Sequence, residues 1–223
     1  MPAPTRLTNL LVATRLNVPS VSGGSVANQT GDLALDSTTG MLTFSSGGGS
    51  QLLRNLVPGM MFRQTSDLVV ENTTDESELI GGGVGSGLTI PTGGFAVGRA
   101  IKGRLAGFYS SAASPGTIRF KYKIGSVVVL DTGAVTLPAL QTNRMWVLEF
   151  SVTCRTTGSS GTFRGQAGVW LDASTGPVYL PMVNTADSVV NTTTGKATDA
   201  FVTFSVADAS NSITCTDWEQ WLA

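Results

Sequence analysis

Two stretches of the chain alternate apolar and polar residues without a break. From Ile118 to Ile124, the residues Ile118, Phe120, Tyr122 and Ile124 share one face, and Arg119, Lys121 and Lys123 share the other. From Trp146 to Arg155, one face carries Trp146, Leu148, Phe150, Val152 and Cys154, and the opposite face carries Val147, Glu149, Ser151, Thr153 and Arg155. A period of two puts successive side chains on opposite sides of an extended backbone, so each stretch predicts a strand with one buried side. Weaker alternation over residues 101–109 (Ile101, Gly103, Leu105, Gly107, Tyr109), 163–171, 202–206 and 213–215 predicts further strands. Clusters of Gly, Ser, Thr, Asp, Asn and Pro at residues 113–116, 156–161, 172–177 and 191–195 separate these runs. About eight strands at such spacing predict an all-β fold, an antiparallel β-sandwich of jelly-roll type.

The first part of the chain reads differently. Residues 1–50 hold short apolar pieces between polar, Gly-rich stretches. Within them, Gly31 to Phe44 predicts a β-hairpin: Leu33 and Leu35 alternate with polar or small neighbours, and Leu42 and Phe44 do so across a turn containing Asp36 and Gly40. A lone hairpin is marginal in water, so this one needs a surface to lie on. Residues 51–94 offer two short strand candidates and the cluster Gly81 to Gly87, read as a linker. The division expected from this is an extended N-terminal arm and attachment region at 1–76 and a β-sandwich at 77–223.

At the other end, Asp217 to Leu222 suits either one helical turn or a continuation of the preceding strand. On unbroken alternation, Trp218 falls on the face opposite Ile213 and Cys215. Large aromatics on a terminal strand ask for cover. Trp218 and Trp221 are therefore candidate subunit-interface residues, with packing under a loop of the same chain as the alternative.

Composition narrows the chemistry. The 223 residues include 27 Gly and no His, and only 13 % are charged. Without histidine there is no Ser-His-Asp triad and no imidazole metal site. The two cysteines, Cys154 and Cys215, are too few to close a zinc site and are read as small buried hydrophobes. The Gly81 to Gly87 cluster lacks the Gly-Lys-Ser/Thr ending of a phosphate loop, and Pro91 opposes a following helix. Asp75-Glu76-Ser77-Glu78 lacks calcium-loop spacing and reads as a solvated turn. Nothing in the sequence brings together any two of Asp131, Glu149, Asp172 and Glu219 as a hydrolytic pair. No catalytic, cofactor-binding or metal-binding residue is expected. Neither a secretory leader nor an apolar run of membrane-spanning length is read from the sequence.

Charge is uneven along the chain. Residues 1–98 have 4 basic and 7 acidic side chains, residues 99–164 have 9 and 2, and residues 165–223 have 1 and 6. Basic strands followed by acidic segments suggest pairing within the sandwich or between copies of it. The trio Arg119, Lys121 and Lys123 is not read as a nucleic-acid site, because no aromatic residue is expected to share its face for base stacking.

Several phrases resemble a known group. Glu78-Leu79-Ile80-Gly81, then Gly94-Phe95-Ala96-Val97-Gly98-Arg99-Ala100-Ile101-Lys102, Gly116 to Gly125, Thr132 to Pro138, Cys154 to Gly158 and Asn211 to Cys215 follow one another in an order similar to the β-sandwich domain of many tailed-bacteriophage structural proteins. The hairpin Gly31 to Phe44 separately resembles a segment near the start of phage tail-fibre chains. The resemblance implies a non-enzymatic virion protein, assembled in the host cytoplasm, that acts as a homotrimer. It implies a capsid decoration (cement) protein whose N-terminal segment binds the major capsid protein or other virion proteins and whose sandwich stands outward. The alternative it implies is a short tail fibre whose exposed loops bind a host-surface glycan. No nucleic acid, membrane or cofactor enters either reading.

Overall fold

The computed structural model describes residues 61–85 and 88–223 in full, together with the strand backbone at 20–21, 33–36, 41–45, 50–52 and 59–60. The hairpin turn at 37–40, the Gly/Ser residues 46–49 and Ser86-Gly87 lie outside the described residues. The chain divides into two compact units, Met1–Val57 and Pro58–Ala223.

The first unit carries β1 (Ser20–Val21), β2 (Leu33–Asp36), β3 (Met41–Ser45) and β4 (Ser50–Leu52) in one sheet of that order. β2 and β3 pair antiparallel with Leu33 opposite Phe44 and Leu35 opposite Leu42, which is the expected hairpin. β1 adds in parallel on one side and β4 antiparallel on the other, so the hairpin gains strands on both flanks.

The second unit is all β, with no helix among its described residues. Its strands are β5 (Gly59–Gln64), β6 (Leu68–Glu71), β7 (Ser77–Glu78), β8 (Gly83–Gly85), β9 (Thr89–Ile90), β10 (Ala100–Ser110), β11 (Thr117–Ile124), β12 (Val127–Asp131), β13 (Val135–Thr136), β14 (Arg144–Thr156), β15 (Gly161–Leu171), β16 (Val178–Val183), β17 (Ser188–Val190), β18 (Lys196–Phe204) and β19 (Ser212–Leu222). One sheet runs β16-β15-β14-β10-β19-β5-β8, with β17 on β15 and β6 on β19. The other runs β12-β11-β18-β7, with β13 on β11 and β9 on β18. All pairings in this unit are antiparallel, and the two sheets pack as a β-sandwich.

The two strongly alternating stretches sit at its centre. Ile118, Phe120, Tyr122 and Ile124 of β11, and Trp146, Leu148, Val152 and Cys154 of β14, are buried. Rings meet across the sheets: Tyr122 lies 4.2 Å from Phe150 and Phe120 5.8 Å from Trp146, centroid to centroid. A buried polar chain adds direction to this contact. The Tyr122 hydroxyl donates to Gln220 Oε1 at 2.9 Å, Gln220 Nε2 donates to Thr198 Oγ1 at 2.8 Å, and Thr198 Oγ1 donates to the Leu88 carbonyl at 2.7 Å. Each donor in the chain has an acceptor, so the network ties the sheets without the penalty of an unmet polar group. Cys154 and Cys215 are both buried free thiols.

Three expectations change. The sandwich unit begins at Pro58, ahead of the expected residue 77, because β5 and β6 both pair with β19. The glycine cluster is not only linker: residues 83–85 form β8 against β5. The Phe62 ring fills the space where a side chain at Gly83 would start, 2.4 Å from that position, so glycine is what lets this edge strand close down. The tail is strand, and it contains a bulge. Cys215 faces Gly107 and Asp217 faces Ala106, leaving Thr216 as the extra residue. One extra residue reverses the alternation, so Trp218, Gln220 and Leu222 point to the same interior as Ile213 and Cys215.

Candidate binding face

That reversal decides the fate of the two C-terminal tryptophans. Trp218 is fully buried, edge-on to Phe62 at 6.1 Å, and its indole N–H has no hydrogen-bond partner among the described residues. It packs within its own chain and has no surface to offer a neighbour. Trp221 is half-buried on the outer side of β19 and alone of the pair presents surface.

The basic trio is engaged inside the fold. Arg119 donates to Asp131 through two nitrogens, Nε at 2.8 Å and Nη2. Lys121 and Lys123 both pair with Glu76. The segment expected to be a solvated turn thus supplies the counter-ion for two lysines. Those two hydrogen bonds hold the Glu76 carboxyl below its ordinary value. Burial pushes Asp131 upward, but the Arg119 bond and the Gly133 N–H outweigh it and hold that carboxyl low as well. An aromatic ring does share this face. β18 places Phe201 opposite Lys121, and Lys123 Nζ sits 4.1 Å from its centroid. The strand's own sequence hid that neighbour, yet with the cations paired and the ring capped by Lys123 the face offers no stacking platform.

Seven of the nine basic residues in 99–164 have a carboxylate within 4 Å. Arg104 reaches Asp217 at 3.1 Å and Glu149 at 3.8 Å, Arg144 reaches Asp172 at 3.3 Å, and Arg155 and Arg164 share Asp187. Arg63 adds Asp217 and Glu219. The uneven charge along the chain is therefore matched within the sandwich. Each of the four carboxylates Asp131, Glu149, Asp172 and Glu219 is held by an arginine, and strand register separates Glu149 from Glu219 by the whole width of β10. No cluster of three or more His, Cys, Asp or Glu poised around a metal occurs among the described residues.

The most distinctive surface is the outer face of β14, β15 and β16. Register lays its side chains in rows that cross the three strands. Val147, Trp170 and Tyr179 make one row, Glu149, Gly168 and Pro181 the next, and Ser151, Gln166 and Val183 the third. Thr153 and Arg164 follow. Three adjoining depressions, of about 430, 400 and 600 Å³, run along these rows from Pro177 and Asp172 to Asn184 and Thr185. Trp170 and Tyr179 are neighbours with ring centroids 5.1 Å apart, and both are exposed, at 40 % and 54 %. Sequence reading missed this face because the alternation of 146–155 marks only which side is buried. The partner rows come from β15 and β16, and their alignment is set by pairing.

No protein-family model matches the chain, and no curated protein matches it either.

Proposed function

We propose that the chain is a non-enzymatic structural protein of a tailed-phage exterior, a homotrimeric capsid decoration protein. In this reading the Met1–Val57 unit attaches to the capsid and the β-sandwich is the displayed body. The observation that carries it is the division of the chain into two unlike units. One is small, with its own four-stranded sheet, and the other is a large sandwich with its sheets tied by buried rings and a satisfied polar chain. Intramolecular pairing of the charges suits a body meant to hold shape. Trp221, still half-exposed, remains the candidate at the contact between copies, whereas Trp218 does not.

The test is co-sedimentation with capsids lacking the protein. The full chain is expected to pellet with them, and residues 58–223 alone are expected to stay in the supernatant. Equal pelleting of the shortened chain, or none by the full chain, would overturn the assignment. The competing reading, a short tail fibre, is favoured by the β2–β3 hairpin and places the protein on tails in labelled particles.

A further inference from the structure

We propose that the outer face of β14, β15 and β16 is a binding groove for an uncharged or weakly charged polysaccharide, with Trp170 and Tyr179 as its stacking platform. This goes beyond the decoration role, which needs no ligand on that face, and it does not depend on where the protein is mounted.

Shape comes first. The three depressions adjoin along β14 from Met145 to Arg155, a run of about 30 Å at strand rise. That suits an extended polymer rather than a compact ligand. The floor is a hydrogen-bonded sheet face, so the site is rigid before anything binds, which lowers the ordering cost of association.

Chemistry selects the occupant. Trp170 and Tyr179 offer flat apolar surface with a polar edge. A sugar ring has an apolar C–H face to lay on such rings and hydroxyls around its rim. Next to the rings lie Glu149, Ser151, Gln166 and Thr153. The side chains of Ser151, Gln166 and Thr153 make no hydrogen bond among the described residues, and together they can both donate and accept. Gly168 lies buried beneath the two rings. A side chain there would begin 2.5 Å from the Tyr179 ring and 2.9 Å from the Trp170 ring, so both rings lie low over the sheet because this residue has none.

Other occupants fit less well. A nucleic acid needs cations free for phosphates, but Arg155 and Arg164 share Asp187 and Arg104 is tied to Asp217 and Glu149. An extended peptide needs partners for its backbone, and across this face the main-chain groups of β14 and β15 are committed to ladders on both sides, so a peptide strand would add at the free edge of β16 and not along the groove.

The experiment is affinity electrophoresis of the full chain through gels containing soluble polysaccharides: dextran, galactomannan, and O-polysaccharides and capsular polysaccharides purified from bacterial surfaces. Tryptophan fluorescence is followed in parallel in the wild type and in Trp170→Ala, which separates Trp170 from the half-buried Trp221, since Trp146 and Trp218 are fully buried. At least one polysaccharide is expected to retard the protein and shift its emission. Trp170→Ala and Tyr179→Ala are both surface changes and should each weaken retardation about tenfold while leaving the melting temperature in place. Gly168→Val, which lifts the Tyr179 ring, should do the same. Passage through every gel without retardation overturns the proposal. So does retardation unchanged in the three variants. A change in sedimentation of Trp170→Ala without polysaccharide would instead assign the face to contact between copies, and overturn it too. Capsid co-sedimentation of the same variants reports separately on the decoration role.

Discussion

Asp199 is the carboxyl whose environment opposes its charge. Burial is the main cause and nearby Glu78 the next, and together they raise its pKa to about 7 against the ordinary 3.8, although the Ala200 N–H and Lys123 pull the other way. The folded state therefore favours the protonated form. That contribution is complete below about pH 4 and is lost as the pH climbs through about 7. Glu76 and Asp131 act in the opposite sense, since their lowered values stabilise the fold above the ordinary carboxylate range. Between about pH 5 and 7.5 those two are already ionised, so Asp199 sets the slope (window about as wide as the shift). The melting temperature is expected to fall across that window. Asp199→Asn, which keeps an oxygen for the Ala200 N–H, should flatten the profile, raising the melting point at about pH 8 and changing little at about pH 4. A mutant profile parallel to that of the wild type would place the slope elsewhere.

At the scale of the strand, legibility tracked regularity. β11 and β14 were readable because every inward position is apolar, and all four turn clusters in residues 113–195 fall between strands. β5 to β9 have 2 to 6 residues each, too short for alternation to establish a period. β19 was half readable: its existence followed from Ile213 to Cys215, but its facing depends on Thr216, and nothing in Thr-Cys-Thr-Asp-Trp marks a bulge. The uneven charge pointed to ion pairing, but the individual partners and the outer face were not legible, because Glu76 meets Lys123, and Trp170 meets Tyr179, only through tertiary pairing. The bulge makes a sharp prediction. Deleting Thr216 removes the extra residue and leaves plain alternation with Ile213, Cys215, Trp218, Gln220 and Leu222 still facing inward, whereas deleting Glu219 from the regular part of β19 turns Gln220 and Leu222 outward and takes the centre of the polar chain from the core. The Thr216 deletion is expected to melt cooperatively with native near-ultraviolet circular dichroism, and the Glu219 deletion to do neither. Thr216→Ala is the control: its hydroxyl makes one bond of 3.3 Å to the Ala106 carbonyl, so the change should cost about 1 kcal/mol or less. Loss of cooperative melting on deleting Thr216 would refute the bulge.

Across the whole molecule, the question is where the self-sufficient body begins. Unit two starts at Pro58, and its first two strands cover one flank of β19: β6 pairs with residues 212–215 and β5 with residues 219–222. They also bring Met61, Phe62 and Val70 into the core, and Gln64, whose side chain donates to the Cys215 carbonyl and accepts from the Gly81 N–H. Burying each of those three apolar side chains is worth about 1.5–3 kcal/mol, against a total stability of about 5–15 kcal/mol for a domain. Cutting the chain at residue 77 would remove them all and bare the long edge of β19, which invites pairing with other chains. Residues 58–223 should therefore melt at the same temperature as the sandwich in the full chain. Residues 77–223 should be insoluble or melt without cooperativity. The measurement is thermal unfolding of the two fragments side by side. Equal, cooperative transitions would mean that β5 and β6 lie on the sandwich without holding it, and would return the boundary to the residue that the sequence alone suggests.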